Sequence, residues 1–431
     1  MSNIGNATVS PSPGEVTQTA RSERPWYMLV LLALIYIFGS IDRMVPSVIV
    51  EPLKAEFQLS DSEMGFLTGF AYSIPYALAV LPAGWFIDRF DRRKLLSITA
   101  AIWSLLTAAG AGAQNYLMLV LARFGVGASE APASPGSLSL IGDLFPKDRR
   151  ATAVSLYYAG TAVGQLVTFL VGGWLLLQFG WRSLFLIAGV PGLLLAALLF
   201  FTCREPRRGQ FDEDSNDKQP VSYGKALSAI AASPSLRQAI PANMLSTGVN
   251  YAIMVWSVSF LVRIHAMSPE YAAMTVGVAI GSIMMLGSII AGLVADRYAK
   301  GDAGRVAQVP GIGTALAGIL GIAMCLMPTL PLAIAFMAGL GFFMGINTGP
   351  GYATLVSLSD SNMRGAILSL AKLASILIGN GFLAYFTGAL SDAIGSDDSI
   401  RWALLSTMLF FFWASFHFFM ASRAKFREAK A

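Results

Sequence analysis

The sequence predicts an all-α membrane protein of twelve transmembrane helices arranged as two pseudo-symmetric six-helix bundles. Three observations lead there. The chain of 431 residues is 55% hydrophobic and 13% charged, with a mean hydropathy of +0.61, a balance unsuited to a water-facing surface. Apolar stretches of roughly 20 residues recur along it, the length at which a helix crosses the hydrocarbon core; the strands of a membrane barrel are about 10 residues long and alternate in polarity. The chain also echoes itself. Gly84-Trp85-Phe86-Ile87-Asp88-Arg89 returns as Gly292-Leu293-Val294-Ala295-Asp296-Arg297, and Arg150-Ala151-Thr152-Ala153-Val154-Ser155-Leu156 as Arg364-Gly365-Ala366-Ile367-Leu368-Ser369-Leu370. Two echoes at nearly one offset imply duplicated bundles, with a central site where the repeats meet.

Residues 1–25 are polar, lack a hydrophobic core before Trp26, and are expected to be a disordered cytoplasmic tail rather than a cleavable signal. Span 1, at 26–50, is expected to stop at Glu51-Pro52, where proline ends the helix. Span 2, at 63–87, opens on Ser60-Asp61-Ser62-Glu63, a capping-box pattern, and carries Gly65, Gly69, Pro75, Pro82 and Gly84, which allow close packing and bending. Spans 3 to 6 lie at 95–113, 116–141, 151–179 and 182–203, completing an N-terminal bundle over 26–203. The interval 204–235, with Asp212-Glu213-Asp214 and three prolines, reads as a cytoplasmic linker. Spans 7 to 12, at 237–261, 271–295, 306–327, 332–358, 365–390 and 402–421, form a C-terminal bundle over 236–422, followed by a cytoplasmic tail at 423–431.

The net charge of +5 is explained by topology and not by a nucleic-acid partner. Of the 30 lysines and arginines, Arg43, Arg123 and Lys372 fall within spans and Lys54, Arg182, Arg263 and Arg401 on one side of the membrane; all the others gather on the opposite side. The positive-inside rule makes that basic side cytoplasmic, with both termini there, in a multi-pass protein of the cell membrane surrounded by lipid. Cys203 and Cys325 lie in or at apolar spans, so neither a disulfide framework nor a metal cluster is expected. Metal-ligand spacing, a Gly-x-Ser-x-Gly elbow and a phosphate-cradling glycine loop are all missing from the sequence. The expectation is therefore no enzyme, no cofactor, no bound metal and no ATP-driven step.

Function is written in the charges that lie where lipid should be. A charged side chain at mid-membrane costs about 2.5–3.5 kcal/mol on insertion scales, and such residues face a bundle interior or watery cavity. Asp42 and Arg43 stand side by side in span 1; Arg123 and Glu130 stand seven apart in span 4, close to one helical face. Counting residues from the span ends puts Asp42 and Arg123 in the outer half and Glu130 nearer the middle, so the expected partners are Asp42 with Arg123 and Arg43 with Glu130. A permanent ion cluster that merely holds the helices together is the competing reading. Lys372 is expected to snorkel, or to meet Asp88 or another acid near the cytoplasmic side. His265 and His417 are expected at the lipid interface. Spans 7 and 10 offer Asn250, Tyr251 and Asn347 among methionine, phenylalanine and alanine, with no fixed cation beyond Arg43 and Arg123, which suits an amphiphile with a small polar head.

The run Gly84 to Lys94 resembles the signature of the major facilitator superfamily between helices 2 and 3, G-x-x-x-D-R-x-G-R-R, although Asp91 stands where that pattern has glycine. Physically, Gly84 lets a neighbouring helix approach and Asp88 can accept from arginines and from a facing helix N-terminus, a charged latch on the cytoplasmic side. The expected gating set is Gly84, Asp88, Arg89, Arg92 and Arg93, with Asp296 and Arg297 in the second copy. Within the superfamily the chain resembles Spinster-like lipid transporters, through Asp42-Arg43, the block Arg123-x-x-x-Gly127-x-x-Glu130-Ala131, and Asp143-Leu144-Phe145 leading to Arg149-Arg150. The resemblance implies a transporter working by alternating access, with H⁺ as coupling ion and Asp42 and Glu130 as proton-coupling residues. Arg43, with Arg123, Asn250, Tyr251 and Asn347, is the expected contact for a lipid-like or amphiphilic substrate, and a monomer is expected. The organic-anion:proton symporters of the same superfamily carry a similar Asp-Arg and helix-4 block, and offer the alternative of a sugar-acid or carboxylate substrate. Drug antiporters fit less well, because span 5 has no proline.

Overall fold

The computed structural model describes residues 24–211, 223–300, 302–360 and 362–428. The expected N-terminal tail lies almost wholly outside the described residues, as do the acidic run Asp212-Glu213-Asp214 and residues 429–431 of the C-terminal tail. In the first half the helices are α1 (Pro25–Val48), α2 (Val50–Phe57), α3 (Asp61–Thr68), α4 (Phe70–Arg89), α5 (Arg92–Gly110), α6 (Tyr116–Glu130), α7 (Ala133–Leu144), α8 (Lys147–Phe179) and α9 (Trp181–Thr202). The second half holds α10 (Tyr223–Ala232), α11 (Pro234–His265), α12 (Pro269–Val276), α13 (Ile283–Ala299), α14 (Ala303–Leu326), α15 (Leu330–Leu358), α16 (Arg364–Ala374), α17 (Leu383–Ile394) and α18 (Ser399–Glu428). Wider π-helical turns, Gly277–Ser282 and Ser375–Phe382, join α12 to α13 and α16 to α17, so each pair is one continuous path.

Among the described residues, 10 helical runs are long and apolar enough to cross a membrane. The two remaining expected spans fall short for chemical reasons. α5 spends its first turn on Arg92, Arg93 and Lys94, and the fourth span, expected as one run, breaks at Ala131-Pro132 into α6 and α7. One further expectation needs correction. The chain does not stop at Glu51-Pro52: the break falls at Ile49, and Pro52 sits in the first turn of α2, where a missing N–H costs nothing. Part of the polar interval after α9 is helical, since α10 buries Ala226 and packs against α16.

Several local signals act as expected. Ser60 and Glu63 form a reciprocal capping box at α3, with N–H to oxygen distances of 2.8 and 3.1 Å. Asp91, in the place of the signature glycine, caps α5 by accepting from the Lys94 N–H at 2.8 Å; its φ of −58° asks for no glycine.

The cores reveal how the halves meet. At the end near the linker each half has its own: Met28, Leu32, Phe145, Tyr157 and Leu199 in the first, Leu236, Leu355, Ile367 and Ala421 in the second. At the opposite end one core is shared, with Val48, Leu53, Phe169 and Trp181 from the first half packed among Trp256, Phe260, Met324 and Phe411 from the second. Polar contacts reinforce that shared end. Arg263 on α11 donates to Glu51 at 2.7 and 3.0 Å and to Asp61 with two bonds of 2.7 Å, while Lys54 also pairs with Asp61. Asp392 on α17 accepts from the backbone N–H groups of Asp61 and Ser62 at 2.9 and 2.7 Å, capping α3 from across the interface. Among the described residues the halves share a core and polar clasp at the end away from the linker and keep separate cores at the linker end.

Candidate functional site

The buried charges of α1 and α6 meet between these two ends. Pro46 lies four residues after Asp42 and has no N–H to offer its carbonyl, which leaves that carbonyl to the guanidinium of Arg123 at 3.4 Å. The Asp42 carboxylate, 1% exposed, accepts from Arg123 at 3.0 and 3.1 Å and from the Thr107 hydroxyl at 2.7 Å. Arg43 pairs with Glu130, whose second oxygen accepts from the Tyr72 hydroxyl at 2.9 Å. Tyr72 also lies under Arg123, with 5.6 Å between guanidinium and ring centre, so one side chain on α4 touches both ion pairs.

Glycines make the room. A Cβ on Gly39 would sit 2.9 Å from a Glu130 oxygen, and one on Gly127 would sit 2.3 Å from the Tyr72 carbonyl. The pairs differ in openness: the side chains of Asp42, Arg123 and Glu130 are 2–4% exposed, whereas Arg43 is 21% exposed. Arg43 is therefore the most exposed of the four, with the Tyr36 ring 5.8 Å from its guanidinium.

Thus the structure brings Asp42, Arg43, Arg123 and Glu130 together in the partnership that depth along the spans suggested. Of the other expected contacts, Tyr251 comes within electrostatic reach of Arg123 and the rest of the cluster. Asn250 donates to Asn347 at 3.0 Å, linking α11 to α15, and Tyr251 gives its hydroxyl to the Thr68 carbonyl at 2.7 Å, tying the second half to α3.

The gating set divides. Arg92, 2% exposed, is locked inside the first half: Nε donates to Glu205 at 2.6 Å and Nη1 to Asp143 at 2.5 Å. Arg93 donates to the Phe200 carbonyl at 2.5 Å and the Cys203 carbonyl at 3.1 Å. Arg208, just after α9, caps the end of α4 through the carbonyls of Ile87, Asp88 and Phe90 at 2.5–2.8 Å. By contrast Asp88 and Arg297 are exposed, Arg89 lies on the Trp85 ring, and no atom comes within 4 Å of where a Gly84 Cβ would stand. Among the described residues no hydrogen bond or ion pair joins the Asp88 side chain to the other half. Asp296 follows in α13, its side chain outside the described set.

Lys372 is misplaced by sequence reasoning. It does not meet Asp88 or any other described carboxylate. Its ammonium reaches Ser134 of the first half at 3.3 Å, with the hydroxyls of Tyr36, Tyr76, Tyr158 and Tyr352 in electrostatic reach. A fixed cation beyond Arg43 and Arg123 does therefore stand at the centre. The signal was available, since Lys372 is the one charge in the interior of its span. Tyr72 and Thr107, both polar positions within apolar spans, were also missed. His417, expected at the lipid interface, bonds Gln238 at 2.6 Å, and the His265 ring packs 5.4 Å from that of Phe260.

Two helical halves clasped at one end, 10 runs able to cross a membrane, and two ion pairs buried inside the first half have the build of a membrane transporter. The chain belongs to the Major Facilitator Superfamily, whose family model matches residues 32–377. It is similar to a bacterial homolog of the human lysosomal transporter Spinster, solved in an inward-facing and unoccupied conformation. That likeness has a TM-score of 0.86 and 26% identity, over 94% of this chain and 98% of the other. A D-xylose–proton symporter shares the fold, with a TM-score of 0.69 and 19% identity over 91% and 97% of the two chains.

Among relatives by sequence are an MFS-type efflux pump of Mycolicibacterium smegmatis, 28% identical over 65% of this chain and 64% of its own length, and a probable galactarate/D-glucarate transporter of Bacillus subtilis, 25% identical over 64% and 65%. The cis,cis-muconate transport protein of Acinetobacter baylyi is 30% identical over 66% of this chain and 71% of its own. The matches to the first two span just under two-thirds of those relatives' length.

Proposed function

We propose that this transporter moves a small organic anion in company with protons, by alternating access. The observation that carries the reading is the unequal exposure of the Arg43–Glu130 pair, an arginine open to the central space and a carboxylate sealed behind it. An anionic group arriving from that space competes for Arg43. A buried carboxylate that loses its guanidinium is left uncompensated in a low dielectric, and taking up a proton relieves the cost. Substrate and proton are thereby linked through one guanidinium. Asp42 and Arg123 form the second pair, joined to the first by Tyr72, so both carboxylates are assigned to coupling.

Proteins named for sugar acids and for muconate among the relatives support an anionic cargo. A lipid-like amphiphile with an anionic head is the second reading, favoured by the likeness to the Spinster homolog over 94% of the chain. With the basic side in the cytoplasm, the parted linker end opens inward, and Gly84, Asp88, Arg89, Asp296 and Arg297 come into play only when that end closes. Arg92 and Arg93 brace the first half meanwhile. Asn250, Asn347 and Tyr251 set the far wall of the path, and one chain contains both halves, so a monomer suffices.

Uptake of labelled galactarate, muconate and a lysophospholipid into proteoliposomes, with and without an imposed pH gradient, tests the reading. Gradient-driven accumulation of an anion is expected; indifference of every cargo to the gradient would overturn proton coupling.

A further inference from the structure

Lys372 is a charge that the coupling scheme does not use. It lies in the ninth position of α16, among residues that are otherwise apolar or small, and every other described Asp, Glu, Lys or Arg of the second half stands near a helix end or in a loop. A lone ammonium in such surroundings costs free energy unless something compensates it. Its described hydrogen-bond partner is the Ser134 hydroxyl at 3.3 Å, and Tyr36, Tyr76 and Tyr158 from the first half and Tyr352 from the second lie within electrostatic reach. Both carboxylates of the central cluster are already committed, Glu130 to Arg43 and Tyr72 and Asp42 to Arg123 and Thr107. Counted together, the buried centre holds three cations (Arg43, Arg123 and Lys372) against two carboxylates (Asp42 and Glu130), one positive charge in excess. Protonation of either carboxylate makes the excess two.

The cage reaches toward the coupling pair. Tyr76 is in electrostatic reach of Lys372, Glu130 and Arg43 alike, and Tyr36 lies both among the neighbours of Lys372 and against the guanidinium of Arg43. The side chain of Lys372 is only half-buried, as is that of Tyr352, so both border the space between the halves.

Resting on the proton-coupled reading above, we propose that Lys372 with Tyr36, Tyr76 and Tyr352 is the seat for one carboxylate of a dicarboxylate solute, whose second carboxylate is received by Arg43 once Glu130 is protonated. The ammonium supplies the charge, and the phenolic hydroxyls donate to the remaining carboxylate lone pairs. A dianion then neutralises the doubly positive centre, and it contacts both halves at once, as a solute that drives their rocking must.

The test uses the purified full chain in proteoliposomes and two readouts: counterflow of labelled muconate or galactarate at equal pH on both sides, and accumulation under a pH gradient. Counterflow needs the seat but not net proton movement. Lys372→Gln is expected to raise the half-saturating concentration for both dicarboxylates by about 10- to 100-fold, the loss of one charge-assisted hydrogen bond, while Lys372→Arg stays within about fivefold of wild type. Tyr352→Phe, which preserves packing, is expected to raise it by about 3- to 10-fold and keeps the test valid if the glutamine variant fails to fold. Glu130→Gln is expected to lose gradient-driven accumulation yet keep dicarboxylate counterflow. Unchanged half-saturation in Lys372→Gln or in Tyr352→Phe overturns the seat whatever becomes of coupling. A wild type that accumulates the lysophospholipid with the gradient but exchanges neither dicarboxylate overturns the seat and leaves the coupled reading intact.

Discussion

Arg263→Ala is expected to loosen the clasp at the end away from the linker. The guanidinium makes four hydrogen bonds there, of 2.7 and 3.0 Å to Glu51 and two of 2.7 Å to Asp61. Its side chain is 18% exposed and that of Asp61 4%, so water screens the contact only in part. Hydrogen bonds to charged groups contribute about 1.5–3 kcal/mol each, and breaking a buried pair costs about 3–5 kcal/mol. Asp61 keeps Lys54 and the Ser391 hydroxyl at 2.6 Å, which places the loss for the clasped state near the lower bound, at about 2–3 kcal/mol. At about 1.4 kcal/mol per factor of ten, the equilibrium shifts by about 30- to 150-fold toward the state in which this end has parted. Spin labels on the exposed positions Ala55 and Asp397, in a chain freed of Cys203 and Cys325, report the separation across the clasp by pulsed electron resonance. The variant is expected to populate a second, longer distance that wild type lacks. An unchanged distance distribution would refute the reasoning, because it would leave the shared apolar core alone to hold that end shut.

Two other perturbations separate bracing from gating at the linker end. Arg92→Ala removes a 2%-exposed guanidinium from Asp143 and Glu205, and is expected to destabilise the first half by about 2–4 kcal/mol, read as a lowered melting temperature in detergent. Asp88→Asn, at an exposed side chain, is expected to leave melting and substrate binding unchanged while slowing closure of the linker end; labelling of a cysteine placed beside Arg92 reports this, and unchanged labelling with full transport would remove the latch.

What was legible in the sequence follows from what is local. The capping box at Ser60 and Glu63 and the long apolar runs depend on neighbours a few residues away, and the structure agrees with them. Even the partnering of Asp42 with Arg123 and Arg43 with Glu130 follows from depth, since rise per residue is nearly constant along a helix. Rotation about the helix axis is another matter. Whether Lys372 points to the linker edge or into the tyrosine cage depends on how α16 is turned against the first half, and the π-helical stretch Ser375–Phe382 resets that angle within a few residues of it. The break after Glu130 and the run of helix through Pro52 were hidden for a related reason: a proline signals a fault in hydrogen bonding, but tertiary packing decides on which side of it the helix yields. Asp88 could not be placed from the sequence, because an exposed side chain at the end of α4 leaves no packing signal to read.

Transport by the Asp42→Asn, Glu130→Gln double variant as a function of pH is the most direct test of the account. Both substitutions keep shape and remove the titrating group. A pH gradient is expected no longer to drive accumulation in this variant, while exchange of labelled solute across equal pH persists. Wild-type pH dependence in the double variant would contradict it, and would reduce the four buried charges to an ion cluster that only holds α1 against α6.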